Sequence, residues 1–391
     1  MRVLCEPGSD RLTAMTALQF GLEWFPDGIG GGSSRYFCAL SSHLEAQGLN
    51  VHSIVTGRSL DGKADAGLHK VSLFNAPLKE RLRAARSTVA AILAGQNVDV
   101  VSSHFPLYTF ACLDLIRRIP IVLHFHGPWA AECKFEGGSP LVTSGQFIVE
   151  KVLYARASRA IVLTNAFGRI LKEHYNFPPD KIRVIPGGVD VDRFTTSPSR
   201  EAARMRLGLP VDRDIIVVVR RLARRMGLEN LISGFDDLRR AHRGALLVVV
   251  GGGQLGDALR QRVRERGLGE TVVFAGRVPD EQLPLYYRAA DISIVPSIAL
   301  EGFGMTVVES LACGTPALVT PVGGLPEVVS GLSHELILEG SSPAAISQGL
   351  HAALEGDLAL PSPETCAAYA RAIFSWPAIA QRVREVYDEV L

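Results

Sequence analysis

The chain has almost no net charge, little cysteine and no long apolar run. Its 41 Lys and Arg nearly cancel 40 Asp and Glu, leaving a formal charge of +1 at pH 7. No global field therefore draws it to nucleic acid. The six cysteines (Cys5, Cys38, Cys112, Cys133, Cys313 and Cys366) are scattered, without a Cys-x-x-Cys pair or a zinc-like His spacing. They read as reduced, mostly buried thiols of a cytoplasmic protein. The opening MRVLCEPGSDR has an acid and a proline where a secretory leader has a basic start and an apolar core, which argues against one. No apolar stretch is long enough to span a bilayer, so the expectation is a soluble protein, at most peripheral to the inner membrane face. A Gly-x-Ser-x-Gly elbow, a Walker loop and an HExxH helix are all missing, which removes the commonest hydrolase and nucleotidase schemes.

What is present is the composition of a folded soluble protein, with 47% hydrophobic and 21% charged residues over 391 positions. That length predicts two domains. Strand patterns alternate with helical ones throughout. The first half gives strands over 19–25, 50–56, 70–74, 98–102, 119–125, 159–163 and 182–185, with helices over 35–47, 78–94, 145–157 and 166–175 between them. A turn at Pro186-Gly187-Gly188 and a polar stretch to Ser199 mark a linker. The alternation then restarts, with strands over 214–219, 245–250, 271–275, 291–295 and 316–320 and helices over 228–242, 257–266, 280–290 and 305–312. Such alternation predicts an α/β protein with two facing Rossmann-like, doubly wound domains and a cleft between them. Ligands of such sheets sit beyond the carboxyl ends of the strands.

One stretch dominates, PSIALEGFGMTVVESLACGTPALVTPVGGLPE over 296–327. Glu301 and Glu309 flank a Gly-Phe-Gly turn that opens the 305–312 helix. The free N–H groups and dipole of a helix start favour an anion such as phosphate. Glu309, little more than one turn in, can accept hydrogen bonds from sugar hydroxyls of the same ligand. Gly30-Gly31-Gly32-Ser33, ahead of the first long helix, offers a second close approach to phosphate or acceptor. His124 and His126 share one face of a strand end; His124 reads as a core residue, and His126 as a cleft residue beside a sugar or leaving group. His104 ends another strand on the acceptor side. Of the four arginines in 220–225, Arg221 and Arg225 are read as diphosphate contacts, and Arg220 and Arg224 as solvated. Gly251-Gly252-Gly253-Gln254-Leu255-Gly256 fits the dinucleotide fingerprint and supports an alternative, an NADP-dependent oxidoreductase with Arg277 at a 2′-phosphate. No acid follows at the end of the next strand, as NAD binding requires. Asp190-Val191-Asp192 is read as structural, and no metal or other cofactor is expected.

These residues together resemble the retaining GT-B glycosyltransferases of family 4, the group 1 type. The likeness rests on the Glu301–x7–Glu309 motif, with HFHGPW at 124–129, IPGGVD at 185–190 and RRLARRMGLENLI at 220–232 in support. It implies an acceptor-side domain over 1–188 and a nucleotide-sugar domain over 189–375, with a helix over 376–391 returning to the first. It implies a hexose-type transfer from a nucleoside-diphosphate sugar, UDP-sugars foremost, to a hydroxyl of a small-molecule or saccharide acceptor. The alternative acceptor is a membrane lipid, met through the basic helix 78–94. In this scheme Glu309 binds the ribose, Glu301 and His126 meet the transferred sugar, and Arg221 binds the diphosphate. Gly304, Met305 and Thr306 offer backbone N–H groups. Gly31, Gly32, Arg225, Gly252, Arg277, Val278 and Phe303 complete the donor side, and His104 and Trp129 the acceptor side. The family usually has a lysine where this chain has Met226, and Arg225 is the expected substitute.

Overall fold

The computed structural model describes residues 14–25, 31–59 and 67–391. β1 (Thr16–Glu23), β2 (Asn50–Gly57), β3 (Leu68–Leu73) and β4 (Val100–Ser103) lie in one sheet with β5 (Ile121–Phe125), β6 (Arg159–Val162) and β7 (Ile182–Val184). Their order is β3-β2-β1-β4-β5-β6-β7. The second sheet holds β8 (Ile215–Val219), β9 (Leu246–Val250), β10 (Val272–Gly276), β11 (Ile292–Val295) and β12 (Ala317–Val319), ordered β10-β9-β8-β11-β12. Every pairing in both sheets is parallel. β8 reads IIVVV and β9 LLVVV, continuous apolar runs suited to a strand covered on both faces. Strand order reverses between β1 and β4 and again between β8 and β11. Crossovers leave those points in opposite directions, and a crevice opens there.

The chain crosses between the domains twice. Val189 and Ser375 form a parallel bridge, with Val189 N donating to Phe374 O at 2.7 Å. The helix Trp376–Asp388 then packs on the first domain. Its Trp376 ring meets Tyr36 edge-on at 5.2 Å, and Arg384 donates to Gln47 O at 2.9 Å. Arg159 and Arg183 both reach Glu389 beyond its end. On the other side of the cleft, Glu327 of the second domain caps the helix Asn165–Tyr175 of the first. Its carboxylate accepts from Asn165 N at 2.7 Å and Ala166 N at 2.8 Å. A carboxylate is stabilised at a helix start by free N–H groups and the dipole, so this contact clamps the domains together.

Three helices begin three or more residues from where the local pattern placed them, the first at Gly32 where 35 was expected. The helix expected from 145 starts at Pro140, behind Ser139, whose hydroxyl accepts from Val142 N at 3.4 Å; Ser then Pro is a helix-start signature. The helix expected over 280–290 is a 3-10 turn, Asp280–Gln282, followed by Leu283–Ala289. Pro284 lacks the N–H that an earlier start would need in its second turn.

The Gly-Gly loop after β12 is needed for close approach. Gly323 sits at φ +58°, and a Cβ there would stand 2.0 Å from the carbonyl oxygen of Glu301. Gly324 N donates to that same oxygen at 2.9 Å. Gly323→Ala is expected to lower stability by at least about 1 kcal/mol through left-handed strain and overlap. A urea midpoint equal to that of the unchanged protein would contradict this packing.

Candidate functional site

A cavity of about 910 Å³ lies between the carboxyl ends of the two sheets. Its wall includes every site residue expected from the sequence and described by the structure: His104, His126 and Trp129 with Gly31 and Gly32 from the first domain, and Arg221, Arg225, Gly252, Arg277, Val278, Glu301, Phe303, Gly304, Met305, Thr306 and Glu309 from the second. Gly30 lies outside the described residues.

The second-domain wall is built around the helix Met305–Ala312. Gly304 precedes it at φ +82° and no side chain caps it, so its first N–H groups are available to a ligand. Glu301 is buried at the β8/β11 switch point. Arg220 Nη2 contacts its Oε2, and Ser297 Oγ donates to the same atom at 3.0 Å. Burial pushes the Glu301 carboxyl up, but the Arg220 and Arg225 charges and these hydrogen bonds outweigh it and hold the group below the usual range. Glu309 takes the opposite direction. Burial raises its carboxyl against the pull of Arg35 and the Tyr287 hydroxyl, which donates to Oε2 at 2.9 Å. Arg35 Nη1, from the first domain, stands 3.8 Å from Glu309 Oε1 and also pairs with Asp280. Leu300, just before Glu301, is held at φ +51°, with its carbonyl accepting from Arg225 Nη1 at 3.0 Å. A non-glycine residue there stores strain beside the Glu301 carboxylate.

The arginines are arranged differently from the expectation. Arg220, read as solvated, is 8% exposed and lies against Ser297, Glu301 and the Met226 thioether. A charge following a five-residue apolar strand was the signal for this burial. Arg225 is turned across the cleft to Glu132, 3.2 Å away, so the guanidinium beside Met226 is that of Arg220, not Arg225. Arg221 is exposed on the cavity wall; its carbonyl accepts from Ala223 N at 2.9 Å, and its guanidinium has no hydrogen bond or ion pair among the described residues. Arg35, Glu132, Asp280 and Tyr287 also line or brace the site, and no local pattern marked them. Phe303 turns its ring inward, 5.6 Å from Phe374, and the residue is 3% exposed. Only its backbone neighbourhood is left to a ligand.

On the first-domain wall, His126 ends β5 at the cavity. Its Nε2 lies 3.0 Å from Nδ1 of His104. His104, expected to face the acceptor, uses its other nitrogen on Ser102 at 3.0 Å and supports His126 instead. His124 is buried against Tyr387, as a core histidine. The Trp129 ring lies 5.2 Å from the Phe105 ring, and the Trp129 backbone N–H donates to Glu150 Oε1 at 2.7 Å.

The glycines of the dinucleotide-like run have another explanation. A Cβ at Gly251 would lie 1.9 Å from Arg220 O, and one at Gly253 2.4 Å from Leu222 O. The glycines make room for the arginine loop, not for a dinucleotide. Asp190 Oδ1 accepts from Asp192 N at 3.2 Å and Arg193 N at 3.1 Å, a turn-capping role. Among the described residues, the one cluster with metal-ligand spacing is His242, His351 and Glu355, which does not line the cavity.

The family model for glycosyl transferases group 1 matches residues 199–373, and that for glycosyltransferase family 4 matches residues 30–193. A D-inositol 3-phosphate glycosyltransferase of Corynebacterium jeikeium is 31% identical over 390 residues, covering 93% of this chain and 93% of the relative. The chain belongs to the group 1 glycosyltransferases of family 4. A similarly named protein of Acidothermus cellulolyticus is 32% identical over 414 residues, covering 98% of this chain and 92% of its own. In fold, the glycosyltransferase resembles sucrose-phosphate synthase of Thermosynechococcus elongatus, with a TM-score of 0.81 at 23% identity over 96% of this chain and 99% of that one. HepE of Anabaena, solved with UDP-glucose, gives 0.75 at 19% identity over 96% and 100%. The two-domain GT-B architecture is thus that of an enzyme family, and the oxidoreductase reading is set aside.

The histidine cluster sets a pH dependence. Burial lowers His126 from 6.5 to about 4 and holds His104 and His124 well below their ordinary value. The unfolded chain therefore binds more protons than the folded one just below pH 6.5. Stability is expected to fall as pH drops from 6.5 toward 4, by up to about 1.4 kcal/mol per pH unit for each histidine. Urea midpoints taken from pH 8 to 5 check this; a flat profile would show that the imidazoles are not desolvated.

Proposed function

We propose that this glycosyltransferase moves a hexose from a nucleoside-diphosphate sugar to a hydroxyl of a small phosphorylated acceptor, with retention of anomeric configuration and without a metal. One observation carries the reading: a helix start free to bind phosphate, an ionised carboxylate and a second buried carboxylate share the switch-point wall of one cleft. The diphosphate fits the N–H groups at 304–306, with Arg221 as its free cation. Glu309 suits the ribose hydroxyls, and Glu301 those of the transferred sugar. Arg220 supplies positive charge beside Met226, where the resembling family has its lysine. With no protein nucleophile assigned, front-face attack is favoured: the acceptor oxygen forms its bond to the anomeric carbon on the side the nucleoside diphosphate leaves. A departing phosphate oxygen takes the acceptor proton. The protein's part is positioning and stabilisation of the leaving charge.

The acceptor class draws on the first-domain wall. Arg58 and Arg81 line the cavity, and Arg81 Nε is buried without a partner. An anionic group on the acceptor would satisfy it, in keeping with relatives named for D-inositol 3-phosphate. Membrane contact through helix 78–94 has less support. Arg86 pairs with Asp114 and Arg81 turns to the Tyr108 hydroxyl at 3.2 Å, so half of the basic cluster already has protein partners. No helix among the described residues is long and apolar enough to cross a membrane.

Thermal-shift panels of UDP-, GDP- and ADP-sugars test the donor, with UDP-glucose first because HepE holds it. Glu301→Ala is expected to lower kcat by about 100-fold or more. Glu309→Ala should mainly raise the donor KM, by about tenfold for a lost charged hydrogen bond. Unchanged turnover in both variants would sink the assignment, and an inverted anomer in the product's NMR spectrum would remove retention.

A further inference from the structure

Behind His126 runs a hydrogen-bond chain that reaches the C-terminal helix. His124 Nε2 lies 3.1 Å from the Tyr387 hydroxyl, and that hydroxyl is 2.8 Å from Ser102 Oγ. Ser102 Oγ is 3.0 Å from His104 Nε2, and His104 Nδ1 is 3.0 Å from His126 Nε2. His104 and His124 stack with ring centroids 3.9 Å apart. Tyr387, Ser102, His104 and His124 are all buried; of the three histidines that border the cavity, His126 is the least buried.

The chemistry of the five groups restricts how protons can be distributed. A neutral imidazole has one N–H and one lone pair, and each hydroxyl has a single proton. If all four bonds form and no buried hydroxyl proton is left idle, the chain has two polarisations: every proton points toward the cavity or every proton points away.

His124 decides between the two. Its Nδ1 is buried without a partner. With the protons running toward the cavity, His124 donates through Nε2–H and the orphaned Nδ1 is a bare lone pair. With the protons reversed, Nδ1 carries an N–H that nothing accepts. Buried orphan N–H groups are rarer than under-satisfied acceptors. The toward-cavity arrangement gives Tyr387 O–H to Ser102, Ser102 O–H to His104 Nε2, and His104 Nδ1–H to His126 Nε2. His126 then carries its proton on Nδ1, the nitrogen with no bond among the described residues.

We propose that Tyr387 is a positioning residue that sets, through Ser102 and His104, the tautomer of His126, so that the cavity meets an Nδ1–H donor. Its ligand partner is an oxygen acceptor, a sugar hydroxyl or a phosphate oxygen, and His126 is not a general base. The assignment of that oxygen to the transferring sugar rests on the function proposed above. The device also ties the site to the helix that closes the domains, because Tyr387 belongs to Trp376–Asp388.

Long-range 1H–15N correlation on protein labelled in its histidine rings tests the proposal at pH 7.5. His126, assigned by its loss in His126→Gln, is expected as the Nδ1–H tautomer. In Tyr387→Phe the signal should become a mixture of tautomers, with kcat lowered by about tenfold, the effect of losing about 1.4 kcal/mol at the transition state, and the donor KM within about twofold. Ser102→Ala breaks the same chain at a smaller side chain, should behave alike, and serves if Tyr387→Phe fails to fold. An Nε2–H tautomer in the unchanged protein, or an unchanged His126 spectrum in both variants, overturns the proposal. The predicted tautomer together with full transfer activity in His126→Gln would leave the relay standing and remove His126 from the proposed reaction.

Discussion

Strand direction is the constraint on which the rest of this structure depends. Both sheets are wholly parallel, so every strand delivers its following loop to the same edge of its sheet. Two such edges face each other, and residues that follow β1, β4, β5, β8, β9, β10 and β11 all reach one cavity. An antiparallel strand in either sheet would carry its loop to the far side. The two walls are held together by groups with a strong reason to stay paired. Glu327 satisfies N–H groups that the 165–175 helix leaves open, and Thr164 Oγ1 donates to Gly302 O at 2.8 Å.

Within that gap, carboxylates and guanidiniums pair across long separations. Glu301 has Arg220, Glu309 has Arg35, and Glu132 has Arg225. Buried ions need such partners, because desolvation costs several kcal/mol for each charge left alone. In the proposed reading, a sugar hydroxyl at Glu301 or a ribose at Glu309 would meet a carboxylate that is already oriented. A diphosphate at the helix start would find the Arg221 guanidinium without an ion-pair partner among the described residues. Arg35 reaches Glu309 from the opposite domain, so the closing of the cleft and the electrostatics of its donor wall are coupled.

Much of this was readable before any coordinates. The continuous apolar strands and intervening helices gave the fold class because their periods are local properties. The 305–312 helix was placed to the residue, since a Gly-Phe-Gly turn opens it and Cys313-Gly314 ends it. Glu301, His126 and Arg221 stood in loops after strand ends, where a parallel sheet puts its ligands, and Glu309 stood just over one turn into the helix that follows. Legibility failed at Arg220, which its own neighbours make look like part of a solvated basic turn. It failed again at His104, where a strand-end position suggested a ligand contact and both ring nitrogens instead hold protein partners.

By itself, the sequence determined the alternation of elements, the start of the 305–312 helix and the chemical inventory of the cleft. These depend on residues within one or two turns of each other. Only the tertiary structure decided which charge meets which. Arg220 and Glu301 are 81 positions apart, and Tyr387 and Ser102 are 285 apart. No periodicity links such pairs; they meet because parallel crossovers bring distant strand ends together and a last helix returns to the first domain. Burial then makes each meeting consequential, since a polar group removed from water must find its partner inside the protein.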